Sequence, residues 1–197
     1  MKKLLLMAAV LLASLGAYAQ HAVGSFTLQP RVGLNVANFT DKNDADPRVG
    51  FAGGVEGEYQ VSDIFSVSAG ALYSMQGSKY SESGSDVTAK FDYVNVPIMA
   101  NVYVVKGLAV KLGIQPGFNV NNEYTVKLGG HGHNGGESGH PEAKTVDFSI
   151  PVGLSYEFPT VPIVIDARYN WGLTKVADGS DSKNSVFQFT LGYKFDL

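Results

Sequence analysis

The chain has 197 residues, with 15 lysines and arginines against 18 aspartates and glutamates for a formal net charge of −3, and it contains no cysteine. That balance offers no basic footprint for nucleic acid, and the missing cysteine excludes both a disulfide framework and a lipid-modified N-terminal cysteine. Its 23 glycines, 10 tyrosines and 11 phenylalanines, without Leu/Ala/Glu/Lys helical stretches, suit one all-β domain.

The chain opens with Met1, the basic pair Lys2 and Lys3, an apolar run from Leu4 to Leu12, and small residues ending in Ala17-Tyr18-Ala19. A basic head, an apolar body too short to span a bilayer and small side chains at a cleavage point predict a secretory signal peptide over residues 1–19. Cleavage after Ala19 leaves residues 20–197 as the folded domain.

From there the sequence alternates apolar and polar residues with a period of two, the mark of strands with unlike faces. Eight such segments follow. The first, Phe26 to Phe39, sets Phe26, Leu28, Val32 and Leu34 against Gln29, Arg31, Gly33 and Asn35. The second, Val49 to Val61, sets Phe51, Val55 and Tyr59 against Glu56, Glu58 and Gln60, and the third, Ile64 to Gln76, sets Phe65, Val67 and Tyr73 against Ser66, Ser68 and Ser74. The fourth opposes Val94, Ile98 and Val102 to Tyr93, Asn95 and Asn101, and the fifth opposes Leu108, Val110, Leu112 and Ile114 to Lys111, Gln115 and Asn119. The sixth carries Phe148, Ile150, Val152 and Leu154 opposite Asp147, Ser149 and Glu157. The seventh carries Ile163, Ile165, Tyr169 and Trp171 opposite Asp166, Arg168 and Asn170. The last carries Phe187, Phe189, Leu191, Tyr193 and Phe195 opposite Gln188, Thr190 and Lys194.

Tight links at Val61–Asp63, Val105–Gly107 and Phe158–Val161 alternate with longer polar ones at Thr40–Arg48, Gly77–Thr88, Glu123–Lys144 and Lys175–Asn184. An even number of strands joined in this way closes without an edge and predicts an eight-stranded antiparallel up-and-down transmembrane β-barrel. Short turns and both termini belong in the periplasm, and long loops outside the cell. Pro30, Pro97, Pro116 and Pro151 each remove a ladder donor, so bulges are expected there.

A soluble barrel of the lipocalin kind shows the same period with the faces reversed. Aromatic residues near both strand ends favour lipid outside, with Tyr59, Phe65, Tyr193 and Phe195 at one interface and Tyr73 and Trp171 at the other. The opposite face carries Arg31, Glu56, Glu58, Lys111, Asp166, Arg168 and Lys194 among small residues, and a small lumen must be filled by compact or mutually paired groups. A hairpin symmetric about its loop places Arg31 beside Glu56 and Glu58, and similar reckoning sets Asp166 opposite Lys194.

The ending Phe187-Gln188-Phe189-Thr190-Leu191-Gly192-Tyr193-Lys194-Phe195-Asp196-Leu197 resembles the assembly signal that outer-membrane barrels present to their insertion machinery, with Leu197 in place of the usual Phe. Arg31-Val32-Gly33-Leu34-Asn35, Val49-Gly50-Phe51-Ala52-Gly53-Gly54, Leu72-Tyr73-Ser74-Met75-Gln76-Gly77 and above all Tyr93-Val94-Asn95-Val96-Pro97-Ile98 resemble the porin-like outer-membrane β-barrel family, which includes PorT-type proteins and small OmpX-like barrels. The resemblance covers nearly the whole domain. It implies a Gram-negative outer membrane, with lipid and lipopolysaccharide as surroundings and the insertion machinery as partner.

Chemistry is sparse. His131, His133 and His140 with Glu137 lie in a glycine-rich stretch, and neutral imidazole is a good ligand for Zn, Ni or Cu. Glycine also makes the loop costly to order around an ion, so a hydrated surface loop is the plainer reading. No Gly-Lys-Ser or Gly-Lys-Thr closes those glycines into a phosphate loop. A lipid-modifying enzyme would want Ser and His on rigid strands near the rim, yet the strands carry no His. Charges plugging so narrow a lumen oppose a diffusion pore. The acidic residues Asp41, Asp44, Asp46, Glu82, Asp86, Asp178 and Asp181 would line the loop end, where divalent cations could bridge to lipopolysaccharide. The expectation is a small structural or interaction barrel without catalysis or cofactor, meeting an extracellular or periplasmic protein. A lipid-modifying enzyme and metal or ligand capture by the histidine loop are the alternatives.

Overall fold

A computed structural model describes residues 21–40, 45–82, 85–128, 136–139, 144–177 and 181–197. The expected signal peptide and His131, His133 and His140 lie outside these residues. The strands are β1 (Phe26–Phe39), β2 (Asp46–Ser62), β3 (Phe65–Glu82), β4 (Ser85–Asn95), β5 (Ile98–Val105) and β6 (Leu108–Leu128). They continue with β7 (Gly136–Gly139), β8 (Val146–Glu157), β9 (Ile163–Lys175), β10 (Lys183–Tyr193) and β11 (Phe195–Asp196). All pair antiparallel. β4 and β5 form one stave, β10 and β11 another, and β7 lies along the upper part of β6. β1 closes the ring, with Arg31 opposite Gly192 and Thr27 opposite Asp196. The result is a barrel of eight staves. Closure pairs backbone groups that hydrocarbon could not solvate.

Alternation becomes an inside-out distribution of residues. Val32, Leu112 and Trp171 are 58%, 55% and 58% exposed, whereas Gln29, Glu56 and Asp166 are 0% exposed. This is the arrangement of a barrel in lipid and the reverse of a soluble lipocalin-like one. Close strand approach explains two inward glycines. A Cβ on Gly33 would lie 1.9 Å from the Phe189 carbonyl oxygen, and one on Gly54 would lie 2.0 Å from that of Ala71. The β5–β6 turn uses Gly107 at φ +83°, a conformation other residues rarely adopt.

The structure corrects several expectations. Gly77–Thr88 is not a long loop: β3 runs to Glu82 and β4 starts at Ser85, paired directly opposite it. The loop expected from Glu123 likewise begins as strand, since β6 continues to Leu128 and β7 pairs with it. Polar residues mislead in Gly77–Glu82, where Tyr80 stands alone, whereas Val87, Ala89 and Phe91 and then Tyr124, Val126 and Leu128 keep a period of two through the other extensions. The expected fourth strand breaks at Val96-Pro97 without changing register, for Asn95 lies opposite Leu72 and Gly117 while Ile98 lies opposite Ala69 and Ile114. Pro30 and Pro116 sit in regular register opposite Val55 and Phe148, and Pro151 pairs with Asn170. The register shifts fall elsewhere, one of them where Val120 of β6 is the extra residue opposite Asp92 and Tyr93, both of which are buried.

Candidate functional site

Every second residue of the lower staves enters a lumen too narrow for bulk water, so each charge there needs a partner within reach. At mid-height, Glu56 of β2 and Asp166 of β9 are surrounded by Arg31, Lys111 and Arg168. Lys111 Nζ lies 2.9 Å from Glu56 Oε1 and 3.0 Å from Asp166 Oδ2. The Arg31 guanidinium lies 3.3 Å from Glu56 and 3.0 Å from Asp166. Arg168 is chelating: its Nε donates to Asp166 Oδ1 at 2.6 Å, and its Nη2 reaches Asp166 Oδ2 at 2.9 Å and Glu56 Oε2 at 3.1 Å. Ser68 Oγ donates to Glu56 at 3.0 Å.

A second group lies towards the short turns. Lys194 Nζ is 3.1 Å from Glu58 Oε2 and 2.7 Å from Glu157 Oε2, and the Tyr103 and Ser66 hydroxyls donate to Glu58 Oε1. Gln29 joins the two groups, donating to Glu58 at 2.7 Å and accepting from Arg31 at 2.6 Å. Four buried cations, Arg31, Lys111, Arg168 and Lys194, therefore meet four buried carboxylates, Glu56, Glu58, Glu157 and Asp166. Equal numbers leave no net charge in the lower lumen, which limits its desolvation penalty.

Above these charges the lumen turns largely to uncharged polar groups, with Asp147 and the pair Arg48–Asp92 among them, and ends in an apolar cluster. Asn35 donates to Ser74 Oγ at 2.9 Å and accepts from Gln188 at 3.1 Å. Arg48 pairs with Asp92 at 3.0 Å and donates to the Gln76 carbonyl, while the Tyr73 hydroxyl and Asn121 amide donate to Asp92 Oδ2 at 3.1 and 3.0 Å. Phe39, Phe91, Tyr93 and Val176 pack together at the long-loop end, with the Phe39 and Phe91 rings edge-on at 5.7 Å.

The seven charged residues singled out in the sequence all face the lumen, grouped differently from expectation. Asp166 does not face Lys194. It lies opposite Thr190 and bonds Arg31, Lys111 and Arg168, while Lys194 bonds Glu58 and Glu157. Glu58 likewise pairs with Lys194 rather than Arg31. Tyr103, omitted from the expected network, stands in phase with Asn101 and could have been found by continuing the count. Arg48 was hidden by its assignment to a loop, and Asp92 by standing in phase with Val94 of the apolar face.

Tyr59, Tyr73, Trp171, Tyr193 and Phe195 are exposed on the outer wall and Phe65 is half-buried, while the Tyr73 hydroxyl reaches Asp92. The Tyr193 and Phe195 rings pack with centroids 4.5 Å apart, tilted by 46°. The backbone of Glu137 lies in β7 opposite Val126. Among the described residues, no cluster of three or more His, Cys, Asp or Glu could hold a metal ion.

The family model described as outer membrane protein beta-barrel domain matches residues 18–178. No curated protein matches the chain. Among solved structures, Neisserial surface protein A is similar at 16% identity and a TM-score of 0.50, covering 86% of this chain and 97% of its own. The attachment invasion locus protein of Yersinia pestis is 17% identical over 88% of this chain and 100% of its own, with a TM-score of 0.49. OprG from Pseudomonas aeruginosa is 12% identical over 89% and 98%, at 0.40.

Proposed function

The chain belongs to the outer membrane β-barrel domain family, and on that premise we propose that it is a non-catalytic structural or interaction barrel, its lumen plugged by paired charges and its long-loop end offered to a partner. One observation carries the interaction role. The sheet is taller on one side: β3 and β4 pair up to Glu82 opposite Ser85, and β4 and β6 pair up to Ser85 opposite Leu128. The neighbouring ladders stop lower, β2 reaching β3 only at Asp46 opposite Lys79 and β8 reaching β6 only at Val146 opposite Phe118. The raised sheet ends in β7, which among the described residues has β6 as its sole strand partner. An open edge beyond the bilayer is a template for an added strand.

On this reading the long loops face outward and the termini lie in the periplasm. The acidic residues Asp46 and Asp181 stand exposed at the loop end, where divalent cations would link them to lipopolysaccharide. The C-terminal strand serves the insertion machinery, and the Tyr93-x-x-x-Pro97 segment aligns the chain with PorT-type barrels. His131 and His133 precede β7 in the sequence and His140 follows it, so metal capture by these three would act at the same end.

Cell fractionation tests the premise. Detergent-dependent extraction, a heat-shifted gel band and cleavage of the histidine loop by external protease are expected. A freely soluble periplasmic protein, or a loop cut only after the outer membrane is opened, would overturn the placement. In planar bilayers the intact barrel should show no steady conductance, and a stable open channel would remove the plugged lumen. Binding of Zn by the full-length barrel, lost on alanine replacement of the three histidines, would add the capture role.

A further inference from the structure

Residues 21–25 cross the short-turn mouth of the lumen before the chain enters β1. Their backbone is pinned to β2: Gly24 N–H donates to the Gln60 carbonyl at 2.8 Å, and Gln60 N–H donates to that of Ser25 at 3.0 Å. Ahead of these bonds stands His21, whose ring lies between two carboxylates. Nε2 is 2.8 Å from Glu157 Oε1 at the end of β8, and Nδ1 is 2.8 Å from Asp196 Oδ1 on β11. An ionised carboxylate only accepts hydrogen bonds, and a neutral imidazole has one N–H to donate. Both contacts are hydrogen bonds only when the ring carries two protons.

The surroundings on every side bear on that proton. A cavity of 340 Å³ at this mouth is lined by His21, Glu157, Asp196, Lys194 and, from the β5–β6 turn, Lys106. Behind the ring lie Ser25, Thr27, Glu58 and Gln60. Three carboxylates, Glu58, Glu157 and Asp196, thus face His21 against the ammonium groups of Lys106 and Lys194. Without its second proton, His21 would leave one carboxylate oxygen facing a ring lone pair.

We propose that His21 is a protonation-operated latch, which as imidazolium ties residues 21–25 to β8 and β11 across the lumen mouth and as neutral imidazole lets that segment lift. The hydrogen bond to Glu157 raises the His21 pKa above its ordinary value, while burial and Lys194 work against it. A raised folded-state pKa fixes the sign: the latch contributes fully below the unfolded value and is lost as pH rises through the folded one. Its opening exposes the Glu157–Lys194 pair, the lower end of the lumen network, to solvent. The carboxylates and His21 come from opposite ends of the sequence, so the latch also fastens the first strand to the last beside their ladder.

The test is amide hydrogen exchange at Gly24 and Gln60 in detergent-refolded full barrel, corrected for intrinsic rates, together with ring nitrogen chemical shifts, across the His21 titration. Wild-type protection is expected to fall about two- to fivefold as the ring loses its proton, the range of partly exposed ion pairs. His21→Gln should show the lower protection throughout, and His21→Arg should hold the higher protection across the same range. Asp196→Asn, altered on its exposed side, should lose protection at a lower pH than wild type. Wild-type protection that does not track the ring's titration, or falls equally in His21→Gln, would overturn the latch. So would a ring with one N–H on the acid side, where unchanged gel heat-modifiability shows the barrel is folded.

Discussion

The two halves of the lumen fill the same narrow space by opposite means. The lower half packs Arg31, Lys111, Arg168 and Lys194 against four carboxylates, whereas the upper half thins to one buried pair, Arg48 and Asp92, and ends in the apolar group Phe39, Phe91, Tyr93 and Val176. Interlocked charges are intolerant of single losses, because each group removed strands several others. An apolar plug loses only contacts and the water it excluded. The two halves thus differ in what a single loss leaves behind, stranded charge below and a cavity above.

The sharpest way to break the contrast is Asp166→Ala. It leaves Arg31, Lys111 and Arg168 with Glu56 as their remaining carboxylate, and urea unfolding in micelles should show a loss of about 3–5 kcal/mol. Recovery by a second change, Arg31→Met, would identify stranded charge as the cause, and no recovery would point to lost geometry. Phe91→Ala in the cap should cost about 3 kcal/mol, the lower end for a buried phenylalanine, and should leave the lower charges ordered. A mutant whose unfolding loses cooperativity throughout would show that the halves are not independent.

A smaller effect sharpens the division between lumen and surface. Lys90 and Glu123 form a half-exposed pair at 3.2 Å on the raised sheet, and Lys90→Ala should cost less than about 1 kcal/mol. Raising salt from low to molar concentration should shrink even that difference, while the cost of Asp166→Ala stays nearly constant because buried pairs are poorly screened. Equal salt sensitivity at both sites would mean the lumen admits bulk electrolyte.

Outer-wall substitution supplies the remaining comparison. Leu112→Arg, at an outward position 55% exposed, should cost about 2–4 kcal/mol in lipid vesicles if it lies near the midplane. The same change at Phe26, beside the short turns, should cost about 0–1 kcal/mol. A reversed order would misplace the bilayer on the barrel.

Alternation by itself determined the eight strands and which residues of each share a face, because a strand's period of two survives whatever it pairs with, and the aromatic residues near the strand ends then pointed the seven charges inward. β1 has the very bounds that the pattern predicts. It was lost in the polar stretch Gly77–Glu82 of β3 and passed over where β4 and β6 still alternate, through Val87, Ala89 and Phe91 and through Tyr124, Val126 and Leu128. Pairing of charges was only partly within reach: Arg31 does lie beside Glu56, but the partners of Asp166, Glu58 and Lys194 were not foreseen. Asp166 meets Arg31 and Lys111 because closure brings β1, β6 and β9 around one narrow axis, and neighbouring strands alone would not suggest that contact. The same closure sets His21 between Glu157 and Asp196, residues far away along the chain. Phase is a local property of the backbone, and reach across a lumen exists only once the ring is shut.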